Sequence, residues 1–179
     1  MNKLLSALFG VALVLATAVA AAQPTSNPMI AKHAGDLVVL RGDELVVFDA
    51  TRLAQAPYTI LYFGAGWCPD CRRFSPNLVA AYDGQPAGAH RFEVLLLSRD
   101  KSAESMLQFM RSEKMKWPAL AFDKIPSAQD LQSYYSGHGI PCLTVIDAAG
   151  TIVLQSKDDQ DANEVLQALQ NLLKTKKDR

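Results

Sequence analysis

Cys68 and Cys71, within the run Trp67-Cys68-Pro69-Asp70-Cys71, are the residues of this sequence whose types and spacing best suit chemistry. Two sulfurs three positions apart at the start of a helix can close a small ring with S–S near ~2.05 Å, so an internal disulfide can form and reopen. The unpaired N–H groups of a helix N-terminus favour a thiolate beside them. Cys68, nearest that end, is the expected nucleophile. Cys71, one turn further in and more buried, is the thiol expected to resolve a mixed disulfide by attacking Cys68. Two other uses of the pair stay open on sequence grounds. A structural disulfide would more commonly link distant segments, because short loops stabilise a fold least. A zinc knuckle needs a second ligand pair, for which the sequence offers only the separated His138 and Cys142.

Such a pair needs a strand that delivers the chain to a helix, and the residue pattern supplies both. Tyr58 to Phe63 is a continuous apolar and β-branched run after Pro57, as in a central strand buried on both faces, and it stops at Gly64-Ala65-Gly66. Pro69 opens a helix where its missing N–H is harmless, Phe74, Leu78 and Tyr82 share one face, and Pro76 lies inside. Before this unit, Leu37 to Leu40 and Leu45 to Phe48 flank Arg41-Gly42-Asp43-Glu44, predicting an N-terminal β-hairpin. After it come a strand over Phe92 to Leu97, a helix over Ala103 to Lys114, a short strand over Leu120 to Phe122 and a helical turn over Asp130 to Tyr135. Cys142 to Ile146 and Ile152 to Leu154, joined by Asp147-Ala148-Ala149-Gly150, predict an antiparallel pair. A last helix buries Val165, Leu166, Leu169, Leu172 and Leu173. The order predicts an α/β fold with a central mixed sheet flanked by helices.

The chain has 179 residues, with 18 Lys+Arg against 18 Asp+Glu and 49% hydrophobic residues. That is one domain's length. The balanced charge argues against binding nucleic acid, which needs a basic excess. Three cysteines are too few for a multi-bridge scaffold. Residues 1–22 carry Lys3, an uncharged Leu- and Ala-rich stretch, and the small residues Ala20-Ala21-Ala22. This is the layout of a secretory signal peptide cleaved before Gln23. An uncleaved anchor is the alternative, since 19 residues from Leu4 to Ala22 approach the length of a span. The expected organisation is a signal peptide over 1–22, an irregular leader over 23–35, the folded domain over 36–174 and a basic tail over 175–179.

Ile140-Pro141-Cys142 supports the exchange chemistry. A cis X-Pro bond directly before a strand would bring the Ile140 backbone alongside the Cys68 sulfur, with its N–H and C=O available to an extended substrate. With both motifs in hand, the chain resembles the thioredoxin-fold superfamily: Trp67 to Cys71 matches its Trp-Cys-x-x-Cys motif, Pro76 its helix kink and Gly139-Ile140-Pro141 its cis-Pro loop. It is most similar to the tryparedoxin and nucleoredoxin branch, in an exported bacterial form. The stretch Tyr62 to Cys68 followed by Cys71-Arg72-Arg73-Phe74-Ser75-Pro76, the Ser98-Arg99-Asp100 turn and Lys116-Trp117-Pro118 are similar to that branch's landmarks.

The resemblance implies a thioredoxin-like fold and thiol–disulfide exchange on disulfide-bearing proteins, with Cys68 and Cys71 catalytic. Trp67, Pro69, Asp70, Ile140 and Pro141 are expected to form the substrate-binding surface, and Arg72, His138 and Cys142 are candidate modulators. No bound cofactor is required, and no Gly-rich nucleotide loop is present. Electrons are expected from a separate thiol donor, either a membrane carrier or a thioredoxin-like protein. The sequence departs from thioredoxin itself in having Tyr62 where that protein carries a buried acid, so the proton acceptor for Cys71 is open. Asp70 is one candidate; otherwise it only favours the helix dipole. Asp70 opposes a thiolate at Cys68 and Arg72 and Arg73 favour it. The balance predicts a reducing poise nearer about −270 mV than the roughly −120 mV of a strong oxidant. Cys142 is a third redox thiol, a soft metal ligand or a small buried strand residue. Trp117, Tyr134 and Tyr135 are read as packing, and His33 and His90 have no assigned role. Two rival functions remain: a dedicated reductant for cytochrome c maturation, and a copper or zinc carrier on the same fold.

Overall fold

Strands β3 (Tyr58–Gly64) and β4 (Glu93–Ser98) pair in parallel, with Ile60 opposite Val94 and Phe63 opposite Leu97, in the computed structural model, which describes residues 27–86, 90–157 and 161–177. Every residue of both strands is buried, the polar Thr59, Glu93 and Ser98 included, as strands covered on both faces require. On the other side of β3 lies β6 (Cys142–Asp147), antiparallel, with Cys142 opposite Phe63. With β1 (Leu37–Arg41), β2 (Glu44–Val47), β5 (Ala119–Leu120) and β7 (Ile152–Gln155), the mixed sheet runs β2-β1-β5-β4-β3-β6-β7. The predicted hairpin is β1–β2, in register from Val38–Val47 to Arg41–Glu44. Its turn uses Gly42 at φ +58°, a conformation costly to any residue with a Cβ.

Alternation along the strands divides the core in two. Ile60, Tyr62, Val94, Leu96, Leu143 and Val145 face the side covered by α3 (Pro69–Asp83), α4 (Ala103–Ser112) and α6 (Ala162–Lys177). Leu61, Phe63, Leu95, Leu97, Cys142 and Ile146 face the other side, against Ile30 of α1 (Pro28–Lys32), Leu53 of α2 (Thr51–Gln55) and Leu131 of α5 (Gln129–Gln132). The α/β class with helices on both faces is as expected.

Three expectations are corrected and one element is added. The leader over 23–35 is not irregular where it is described: Asn27 caps α1 by accepting the Met29 and Ile30 N–H groups, and Ile30 is buried. Helix α2 was not foreseen. The short strand is Ala119–Leu120, and Phe122 begins a 3-10 turn. The tail's first residues continue α6 to Lys177. The signal-peptide segment, residues 1–22, lies outside the described residues. Among those described, no helix is long and apolar enough to cross a membrane.

Helix α1 is too short to hold itself, and Asp130 ties it down. Lys32 Nζ lies 2.7 Å and His33 Nε2 2.9 Å from its carboxylate oxygens. Partial burial raises the carboxyl pKa, but hydrogen bonds from Lys32, His33 and the Leu131 N–H outweigh it and hold it at about 2. An unfolded Asp titrates near ~3.9. The folded value is depressed, so this contribution is present above about pH 4 and is lost as pH falls towards 2. The side chain is 32% exposed and solvent screens part of the effect. Asp130→Asn is therefore expected to cost about 1 kcal/mol in urea unfolding at pH 7. Its midpoint should converge on that of the parent chain as pH falls to about 2.

Candidate active site

The β3–α3 junction and the loop before β6 meet because β3 and β6 are antiparallel neighbours. Strand β3 ends at Gly64, and three residues carry the chain to Cys68, the N-cap of α3. The Cys71 N–H donates to Cys68 Sγ at 3.3 Å, so the sulfur occupies the place of an N-cap side chain. Pro69 fills the first helical position. Across from the pair, the Ile140–Pro141 bond is cis, and Cys68 Sγ donates to the Ile140 carbonyl at 3.4 Å. All three cysteines are free thiols, and Cys68, Cys71 and Cys142 are 5%, 0% and 1% exposed.

Burial pushes the Cys71 thiol up to about 12. The adjoining Cys68 adds to the rise, while hydrogen bonds from the Ala65 N–H and the Tyr62 hydroxyl oppose it. Cys71 is thus held as a thiol inside, while Cys68 keeps a small exposed area. Trp67, next to Cys68 in the chain, is 55% exposed, and its Nε1 donates to the Arg99 carbonyl at 3.0 Å.

Asp70 points outward and pairs with Arg73 on the exposed side of α3. Of its two readings, this placement favours that of a charge in the first turn over that of proton acceptor for the buried Cys71. Asp70 and Pro141 line one groove, with Arg73, Phe74 and Asp161. His138, exposed, lines another of about 520 Å³ with Ile140 and Pro141. Arg72 Nε donates to the Gly66 carbonyl at 2.5 Å and borders a third groove with Trp67, Asp100 and Lys101.

Cys142 is not brought to the pair. It faces the opposite side of the sheet, packed with Phe63 and Leu97, 3.4 Å from Ser136 Oγ. Of the three readings of Cys142, the structure favours the small buried strand residue over the redox thiol and the metal ligand. Among the described residues, no three His, Cys, Asp or Glu side chains converge as a metal site.

The sequence marks the Ser98-Arg99-Asp100 turn as a landmark but gives it no part in holding the motif. Asp100 Oδ1 accepts the Gly66 N–H at 2.9 Å and its Oδ2 accepts the Ser98 hydroxyl at 2.9 Å, anchoring the loop before Trp67. The Arg99 guanidinium lies over the Phe63 and Tyr135 rings at 5.2 and 4.6 Å. The Gly139 N–H donates to the Tyr135 hydroxyl at 3.0 Å, which ties the cis-Pro loop to that stack. A Ser-x-Asp turn directly after a buried strand was the available signal.

The family model described as thioredoxin-like matches residues 57–152. Nucleoredoxin from Xenopus laevis is 32% identical over 99 residues, covering 55% of this chain and 23% of its own length. The chain thus spans about a quarter of that curated relative. The solved tryparedoxin from Trypanosoma brucei aligns over 75% of this chain and 95% of its own at 31% identity, TM-score 0.56. A tryparedoxin II complexed with glutathionylspermidine aligns over 64% and 77% at 33% identity, TM-score 0.52.

Proposed function

The chain belongs to the thioredoxin-like family, in the branch of the tryparedoxins and nucleoredoxins, and on that premise we propose that it is an exported thiol–disulfide oxidoreductase that reduces protein disulfides. The observation that carries the reading is the setting of Cys68. Its sulfur caps a helix N-terminus, meets the Ile140 carbonyl before the cis-Pro and has Cys71 one turn behind. The Cys68 thiolate attacks one sulfur of a substrate disulfide, forming a mixed disulfide and releasing the other sulfur as a thiolate that takes up a proton. Cys71 then gives up its proton and attacks Cys68, closing the Cys68–Cys71 disulfide and expelling the second substrate thiol. Two electrons and two protons pass to the substrate, and a separate thiol donor of the membrane-carrier or thioredoxin-like kind restores the dithiol. An extended substrate segment would pair with the Ile140 backbone while the Trp67 ring supplies apolar contact. Export is supported by the composition of residues 1–22.

The test is insulin-disulfide reduction by the mature chain with dithiothreitol as donor, joined to a reduction potential measured in glutathione buffers. Insulin precipitation well above the dithiothreitol background and a potential near about −270 mV are expected. No turnover, or a potential near about −120 mV, would overturn the reductase reading.

A further inference from the structure

Beneath the pair lies a buried hydroxyl couple with a geometry of its own. Tyr62 and Ser75 are both fully buried, and their hydroxyl oxygens are 3.0 Å apart. Ser75 follows Cys71 by four residues, one turn along the same face of α3. The phenol thus meets the hydroxyl of Ser75 one turn from Cys71, within the same buried cluster, and its hydrogen bond draws the Cys71 pKa down against burial.

Its placement depends on Gly64. A Cβ there would lie 2.6 Å from Tyr62 Cζ and 2.7 Å from the phenol oxygen, so the ring runs along β3 over a position that has no side chain. Phe74 meets the ring edge-on at 5.6 Å and Phe109 lies tilted at 6.4 Å, which fixes its direction. The titratable groups facing Cys71 are Cys68 on its own helix and Tyr62 on β3. From α4 and α6 the same cluster receives Met106, Phe109, Val165 and Leu169, none of them titratable. The one buried carboxylate among the described residues, Glu93, pairs with Thr59 at the far end of β3.

We propose that Tyr62, backed by Ser75, is the hydrogen-bond donor that stabilises the Cys71 thiolate in the resolving step. The inference rests on the exchange reaction proposed above and assigns its inner half. Burial holds the Tyr62 phenol well above its ordinary range, so it stays protonated and acts as a donor, not a base. Each hydroxyl has one hydrogen. The phenol donates to sulfur while Ser75 donates to the phenol oxygen. As Cys71 loses its proton to solvent and attacks Cys68, the Cys71–Cys68 bond forms and the bond from Cys68 to the substrate sulfur breaks. The departing thiolate carries the electron pair and takes a proton from solvent. The phenol keeps its own proton throughout and lowers the cost of the negative charge on Cys71 in a site where burial opposes it.

Rapid mixing of the reduced chain with excess 5,5′-dithiobis(2-nitrobenzoate) separates the steps. Attack by Cys68 releases one thionitrobenzoate, and resolution by Cys71 releases the second. Tyr62→Phe is expected to leave the first phase within about twofold and to slow the second about tenfold at pH 7. The pH midpoint of the second phase should rise by about one unit, the same factor of ten. Ser75→Ala is expected to slow the second phase about threefold. A second phase unchanged in both variants, or slowed with no shift in its pH midpoint, would overturn the proposal. Failure of the exchange reading itself appears differently, as absence of the paired phases in the unsubstituted chain.

Discussion

Cys68→Ser is expected to lower insulin reduction by on the order of 10³-fold or more, because a hydroxyl at this position supplies no nucleophile comparable to a thiolate near neutral pH. Cys71→Ser should fail in another way. Attack by Cys68 proceeds, but the mixed disulfide has no internal thiol to resolve it, so the variant accumulates one covalently bound substrate per chain. Mass spectrometry under non-reducing conditions detects that adduct, and dithiothreitol releases it. The double variant should neither turn over nor form the adduct. Because Cys71 is fully buried and its thiol is held up near 12, it is not expected to replace Cys68 as the attacking sulfur. Retained turnover in Cys68→Ser, or an adduct on Cys71 in that variant, would contradict the assignment of roles.

The second large effect lies at the other end of β3, on stability. Glu93 is fully buried. Arg52 Nε is 2.8 Å and His90 Nδ1 3.0 Å from its Oε1, and the Tyr82 hydroxyl donates to Oε2 at 2.8 Å. Arg52 also donates to the Tyr82 hydroxyl at 2.8 Å, closing the network. Glu93→Ala would leave the buried phenol and the facing guanidinium without the carboxylate and open a cavity. The expected loss is about 3–5 kcal/mol, measured as a lower urea midpoint with an unchanged slope. Glu93→Gln keeps the hydrogen-bond acceptor and should cost roughly half as much. Exchange activity per folded molecule should stay the same in both, since the network sits at the opposite end of β3 from the pair. A cost under about 1 kcal/mol for Glu93→Ala would mean that the charges are better solvated than their burial implies.

The parts legible in the sequence are those encoded locally. Tyr58 to Phe63 has the uninterrupted apolar run of a doubly covered strand, Pro69 and the face of Phe74, Leu78 and Tyr82 mark a helix start, and the cysteines lie where the two join. The Glu93 network was not legible because Arg52 and Tyr82 come from segments apart from that of His90 and Glu93, and only the fold decides their meeting. His90 accordingly had no role to assign. Helix α2 has five residues and no full amphipathic period. Helix α1 left a usable signal, Asn27 followed by Pro28, which is an N-cap followed by proline at the first helical position. For Cys142, residues adjacent in sequence to the cis-Pro suggested closeness to Cys68. Period-two alternation from Leu143 would have sent its side chain through to the other face.

That orientation bears on fidelity during repeated oxidation. Three cysteines allow three pairings, yet Cys142 packs in a different core from Cys68 and Cys71, with the β3–β6 ladder as a wall between them. The folded chain can cycle its adjacent pair many times without scrambling into a dead-end crosslink, and the odd sulfur, sealed away from collisions, gives neighbouring copies little opportunity to become tethered through it.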